Sequence, residues 1–194
     1  MYLNKRALSY RSDSFLSSAL GWAETIVMAV FVVILMFTFV FKIVLVVGSS
    51  MENTLFQDDR LIISNLCYSP AAGDIIVINS DVMDEVIVKR VVATANETVS
   101  INYDSCTVKV DGRIIDEPYI KEQMINTGSF SDLFYNSESG CYEYRIPFGY
   151  VFVMGDNRNH STDSREIGLV SEDKILGRVI YRFYSEKADR GKVA

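Results

Sequence analysis

From Thr25 to Phe41 every residue is apolar or threonine, and beyond Lys42 the run resumes as Ile43-Val44-Leu45-Val46-Val47. No other feature restricts the fold as strongly. Inside hydrocarbon a lone segment must satisfy its own backbone N–H and C=O groups, so it has to be helical. Crossing the bilayer takes about 20 apolar residues. The stretch from Gly21 to Val47 is long enough if Lys42 snorkels to one interface while Trp22 and Glu24 sit in the other. A cleaved secretory leader fits less well, because no Ala-x-Ala site closes the run and its apolar core is too long. Lys5, Arg6 and Arg11 precede the span, and after Lys42 the next basic residue is Arg60. The positive-inside rule then holds the N-terminus in the cytoplasm and exports the rest of the chain. The expected layout is a cytoplasmic segment 1–20, a single transmembrane anchor 21–47, an extracytoplasmic domain 48–184 and a solvated tail 185–194. The expected address is the cell membrane, single-pass, with the lipid bilayer as a partner.

The chain has 194 residues, enough for one anchor and one domain with a real core. Its formal net charge of −6 and the lack of any Lys/Arg-rich block exclude a nucleic-acid partner. Three widely spaced cysteines (Cys67, Cys106, Cys141) form no CxxC pair, and there is one histidine, so no metal site and no cofactor are expected. Small thiols, buried or half-buried, are the better reading of the cysteines, with a Cys106–Cys141 disulfide as the alternative.

Beyond the anchor the sequence reads as short β-branched runs broken by turn residues: 60–63, 74–78, 85–92, 144–146, 150–154 and 178–184. Asp111-Gly112 between Val108-Lys109-Val110 and Arg113-Ile114-Ile115 predicts a two-residue hairpin. The fold class is mainly β, a barrel-like all-β domain after one N-terminal transmembrane helix. Residues 124–140, rich in Asn, Ser and Gly, read as a long exposed loop or insertion.

Ser50, in Gly48-Ser49-Ser50-Met51, falls just past the apolar run, within a few residues of the expected bilayer surface. Val86-Ile87-Val88-Lys89-Arg90-Val91-Val92 sets a lysine inside a strand-like run. A serine hydroxyl attacks only when a base takes its proton. Lysine serves as that base when neutral, which requires its pKa to fall from about 10.4 toward 7, and burial among apolar groups produces such shifts. In a strand Lys89 shares a face with Ile87 and Val91, while Arg90 projects the other way; the adjacent Arg90 charge is expected to disfavour a second cation modestly. Taken singly, Lys89 reads as an edge lysine in water and Ser50 as a turn serine. A competing set of residue types is Ser50, His160 and Asp163 as a triad; against it, His160 lies in a polar run that reads as an exposed loop.

The boxes taken together point to a family. Gly48-Ser49-Ser50-Met51-Glu52-Asn53-Thr54-Leu55 resembles the G-x-S-M-x-P-T-L box of type I signal peptidases, in their Gram-positive form. Gly73-Asp74-Ile75-Ile76-Val77 and Lys89-Arg90-Val91-Val92 are similar to two further boxes, and Gly155 through Arg165 follows G-D-N-R-x-x-S-x-D-S-R without a departure. Asp111-Gly112 with Glu117-Pro118-Tyr119, and Gly168 with Gly177-Arg178, stand where such enzymes carry similar residues, so the likeness runs from the anchor to about Tyr184. The resemblance implies a membrane-anchored serine endopeptidase that removes signal peptides from exported preproteins, near the secretion translocon, through an acyl-enzyme. It implies Ser50 as nucleophile and Lys89 as general base. Ser161 would orient the lysine amine, Asp163 and Arg165 would form a salt bridge in the loop, and Asp156 and Arg158 would support the same turn. The oxyanion hole would use the Ser50 N–H, with Gly48 in place of a side-chain hydroxyl. Pockets for small residues at −1 and −3 would be lined by Val44, Val46, Val47, Met51, Leu55, Ile87 and Val88, excluding longer side chains sterically, and an extended substrate would pair with residues 86–88.

One position departs: Asn53 occupies the place of the family's proline. Asparagine is expected to leave the turn looser without abolishing activity. Two rival readings remain. A non-catalytic binding factor on the same fold would have no reason to keep the lysine. A self-cleaving repressor-type protease would carry a DNA-binding segment, and none is evident.

Overall fold

The structure, a computed structural model, describes residues 3–126 and 134–193. It divides into two units, residues 1–41 and 42–194.

The first unit is one helix, α1 (Leu3–Val40). Its Ser18–Thr38 part has a mean hydropathy of 2.3 and no buried share, so it is long and apolar enough to cross a membrane. The two threonine hydroxyls in this stretch are satisfied internally: Thr25 Oγ1 donates to Gly21 O and Thr38 Oγ1 to Ile34 O. The helix stops short of the expected limit at Val47. Phe41–Leu45 is instead a strand, β1, placed beside β2 (Arg60–Ser64) in the large sheet. An apolar β-branched run suits either state, and a neighbouring strand decides it. Lys42, expected at the end of the helix, is therefore the second residue of β1.

The second unit is mainly β, as expected. The remaining strands are β3 (Ile75–Ser80), β4 (Glu85–Ala93), β5 (Thr98–Asn102), β6 (Thr107–Val110), β7 (Arg113–Ile114), β8 (Tyr135–Asn136), β9 (Cys141–Arg145), β10 (Tyr150–Met154), β11 (Val170–Ser171) and β12 (Ile175–Tyr184). They form a seven-stranded sheet, β1-β2-β12-β3-β4-β10-β11, and a five-stranded sheet, β7-β6-β5-β9-β8. From β2 to β12, neighbouring strands pair antiparallel. The large sheet must roll. From β11 to β12 it spans four strand spacings, roughly 19 Å if flat, yet only Glu172–Lys174, a 3₁₀ turn, joins the two, and such a turn advances about 2 Å per residue. Irregular registers in β12 and between β4 and β10 supply the bends. Rolling buries both faces of β3. Ile75 and Val77 pack with Val46, Met51, Leu55, Leu61, Ile63 and Val179, whereas Ile76 and Ile78 pack with Ile87, Val91, Val151, Val153, Val170 and Ile175. A third cluster around Phe152, Met154, Val99 and Ile101 joins the end of the large sheet to the small one.

Two loop expectations change. Within 124–140, Met124 and Phe134 contribute to the third cluster and Tyr135–Asn136 pairs with β9, so apolar contacts recruit part of the segment; residues 127–133 lie outside the described residues. The tail is not free either: Gly191 exchanges two backbone hydrogen bonds with Arg182, and Val193 packs against the second cluster. All three cysteines are free thiols, Cys141 buried and Cys67 exposed.

Candidate active site

The strand period sets the lysine. On β4, Lys89 lies on the face of Ile87 and Val91, directly across from Ile76 of β3, and all four are buried. Its side chain ends at the serine: Lys89 Nζ donates to Ser50 Oγ at 2.8 Å. Burial pushes the Lys89 amine down to about 8, the nearby Arg165 charge acts the same way, and Asp163 and Asp156 oppose it. The neighbour Arg90, expected to depress the amine, is spent elsewhere. Its guanidinium pairs with both oxygens of Asp156 (2.9 and 2.8 Å) and lies 3.9 Å over the Tyr119 ring.

Ser50 rides on a tight turn. Thr54 N and Leu55 N both donate to Met51 O, while Met51 and Leu55 are buried in the core and pin the turn from below. From above, Asn157 N donates to Ser50 O and Asn157 Nδ2 to Ser49 O, each at 3.0 Å. Gly155 permits this approach. A Cβ there would stand 2.5 Å from Ser50 O and 2.6 Å from Ser161 Cβ, so only glycine fits. Thr54 Oγ1 donates to Asp156 Oδ2 at 2.5 Å, tying the far end of the turn to the Arg90 pair. Among the described residues no acceptor meets the Ser50 N–H, which leaves it free to bind an oxyanion.

The loop from Gly155 to Arg165 is braced by two buried ion pairs. Arg165 grips both oxygens of Asp163 at 2.8 and 2.9 Å and donates to Arg158 O. Asp163 also accepts from Gly155 N and caps the short helix α2 (Ser164–Ile167). Burial opposes its charge, but Arg165 and the Gly155 N–H outweigh that and hold the carboxyl below its usual range. Arg158 forks onto Glu117 and reaches Gly155 O.

Ser161 is buried at the site, but its Oγ, expected against the lysine amine, makes no hydrogen bond to it; the hydroxyl lies beside Asp163, whose charge it helps to hold. His160 is exposed at the end of a 3₁₀ turn, and the carboxylate a triad would need is committed to Arg165. Of the expected pocket residues, Val44, Val46, Met51, Leu55 and Val88 share one cluster and Val47 is exposed. Ile87 lies on the opposite face of β4, under the lysine side.

Asn53 corrects an expectation. Its backbone sits at φ 93°, its Nδ2 donates to Tyr119 O at 3.1 Å, and the next residue back, Glu52, pairs with Lys121 at 2.6 Å. The turn is tethered, not loose. Other contributors that sequence reasoning missed are Gly155, Asn157 and Thr54. They lie inside the motif segments, but which atoms each touches depends on contacts about 100 positions apart.

No group of three or more His, Cys, Asp or Glu side chains suited to a metal occurs among the described residues.

Comparison with known proteins identifies the family. The family model described as signal peptidase, peptidase S26, matches residues 19–184. Signal peptidase I of Bacillus amyloliquefaciens is 35% identical over 167 residues, 84% of each chain. Signal peptidase I T of Bacillus subtilis (strain 168) is 35% identical over 169 residues, 85% of each chain. A crystal structure of a signal peptidase I from Enterococcus faecalis V583 aligns with a TM-score of 0.44 and 26% identity, covering 57% of this chain and 97% of that one.

Proposed function

The chain belongs to the signal peptidase (peptidase S26) family of serine endopeptidases, and on that premise we propose that it cleaves signal peptides from exported preproteins with Ser50 as nucleophile and Lys89 as general base. The 2.8 Å contact between Lys89 Nζ and Ser50 Oγ at a buried amine carries this reading. Neutral Lys89 takes the Ser50 proton as Oγ attacks the scissile carbonyl. The oxyanion faces the free Ser50 N–H. Collapse breaks the C–N bond, Lys89 returns the proton to the departing amine, and the signal peptide is left as an ester on Ser50. Water, deprotonated by Lys89, then hydrolyses that ester and restores the hydroxyl.

Substrate recognition rests on an open strand edge. β3 pairs with one side of β4 from Glu85 to Arg90, but β10 pairs on the other side only from Arg90 to Ala93. Residues 85–88 therefore offer unpaired backbone groups on that side to an extended peptide. Val44 and Val88 line the approach and favour small side chains at −1 and −3. Ser161 Oγ, buried beside the site and next to Asp163, orients the Lys89 amine. α1 anchors the enzyme with its N-terminus in the cytoplasm and the β unit outside, beside the translocon that delivers its substrates.

The test is cleavage of a preprotein with an Ala-x-Ala site by full-length enzyme in detergent. Ser50→Ala and Lys89→Ala should be inactive while His160→Ala cuts normally, and kcat/KM should rise with pH to a plateau past about 8, as the amine loses its proton. An inactive His160→Ala beside a working Lys89→Ala, or a flat profile from pH 5 to 9, would sink the dyad.

A further inference from the structure

Arg182, near the end of β12 and 132 positions from Ser50 in the chain, reaches the turn that carries it. Its Nη1 donates to Thr54 O at 2.8 Å and lies 3.5 Å from Asp59 Oδ2. Asp59 is fully buried. Its Oδ2 also accepts from Phe56 N, while Oδ1 has no partner, so Arg182 is the cation that offsets its charge. Removing one partner of such a pair leaves a costly bare charge. The arginine thus cannot swing away from the loop without penalty.

The other two nitrogens of Arg182 face the C-terminal segment. Nε and Nη2 both donate to Asp189 O, at 3.0 and 2.9 Å, and the Arg182 backbone exchanges two hydrogen bonds with Gly191. The same segment touches the loop directly through Lys187, whose Nζ lies 5.6 Å from the Phe56 ring centroid. A planar fork with its Nε side fixed on one carbonyl has its remaining nitrogen aimed, here at Thr54 O. Thr54 is held from its other side by Asp156, the partner of Arg90.

We propose that Arg182 is a positioning residue for Ser50, and that residues 185–191 act as the clamp that aims it. This rests on the serine–lysine reading above. The turn from Met51 to Leu55 is gripped at Thr54 between Arg182 and Asp156, which sets where the Ser50 hydroxyl sits over Lys89. Small displacements of a nucleophile are expensive in rate.

Three full-anchor variants test it with a fluorogenic peptide bearing alanine at −3 and −1: Arg182→Lys, a chain ended after Tyr184, and a chain ended after Gly191. The lysine keeps a charge for Asp59 but cannot serve both carbonyls. Rates are taken per folded molecule, from circular dichroism at a temperature where each variant is folded. Arg182→Lys and the 184-ended chain should lose roughly tenfold to a hundredfold in kcat, with KM within about twofold, since the open edge of β4 is untouched. The 191-ended chain, which keeps both the Asp189 carbonyl and the Gly191 bonds, should recover the full kcat. A 184-ended chain with unchanged kcat, or a 191-ended chain as slow as the 184-ended one, overturns the proposal. An unmodified enzyme that cuts nothing overturns the dyad reading beneath it.

Discussion

Lys89 destabilises the fold that houses it. Its amine is held near 8 in the folded chain, against about 10.4 for an unfolded lysine. Between those values the unfolded state binds more protons, so stability rises with pH across that window. Below it a penalty of roughly 3 kcal/mol stands in full. Lys89→Met, similar in volume and uncharged, should therefore gain about 1–3 kcal/mol in urea unfolding at pH 7. The gain should shrink toward pH 10.5, and cleavage should be abolished at both. A loss of stability at pH 7 would mean that the Ser50 contact outweighs the burial of charge. The apolar face around Lys89 was legible from the two-residue strand period alone. The charges that tune it were not: Arg165, Asp163 and Asp156 act from 67 or more positions away, while the adjacent Arg90 points into a different ion pair.

At the scale of elements, the loop from Val46 to Asp59 is a built part, closed at its base by Val46 N to Asp59 O and Asp58 N to Val46 O. Asn53 belongs to that construction. Proline needs φ near −65°, and the backbone there is at 93°. Asn53→Pro should thus cost kcat about tenfold or more in the peptide assay, contrary to the expectation that proline would suit this turn better than asparagine. Asn53→Gly, which keeps the backbone and loses only the tether, should stay within about threefold. Equal losses in the two would place the effect in the side chain rather than the turn. Other elements were legible because their signals are local. Asp111 and Gly112 both take positive φ, at 49° and 78°, as a primed two-residue hairpin demands. β1 and β5 were not: an apolar run after a helix and a short polar-alternating run become strands only when a neighbour supplies the ladder.

For the whole molecule, the division into compact units falls after Phe41, whereas the apolar run expected to form the anchor continues to Val47. Val46 is buried at 3% exposure and its backbone closes the serine loop. A fragment starting at Lys42 should fold and cleave a soluble peptide at a rate near that of the full chain in detergent. One starting at Gly48 should melt several degrees lower and lose most activity, since it lacks β1 residues and a core valine. Equal melting temperatures for the two fragments would show that β1 is dispensable. The sequence by itself determined a helix long and apolar enough to cross a membrane, the mainly β class and the residue types of the site, because apolar length, strand period and turn chemistry act over a few residues. Only the tertiary structure decided that Lys89 meets Ser50, that Asn157 and Gly155 seat the serine, and that Arg182 and the tail reach the same loop. Those contacts join segments 39 to about 130 positions apart, and they form because the large sheet rolls on itself and brings its distant strands to one place.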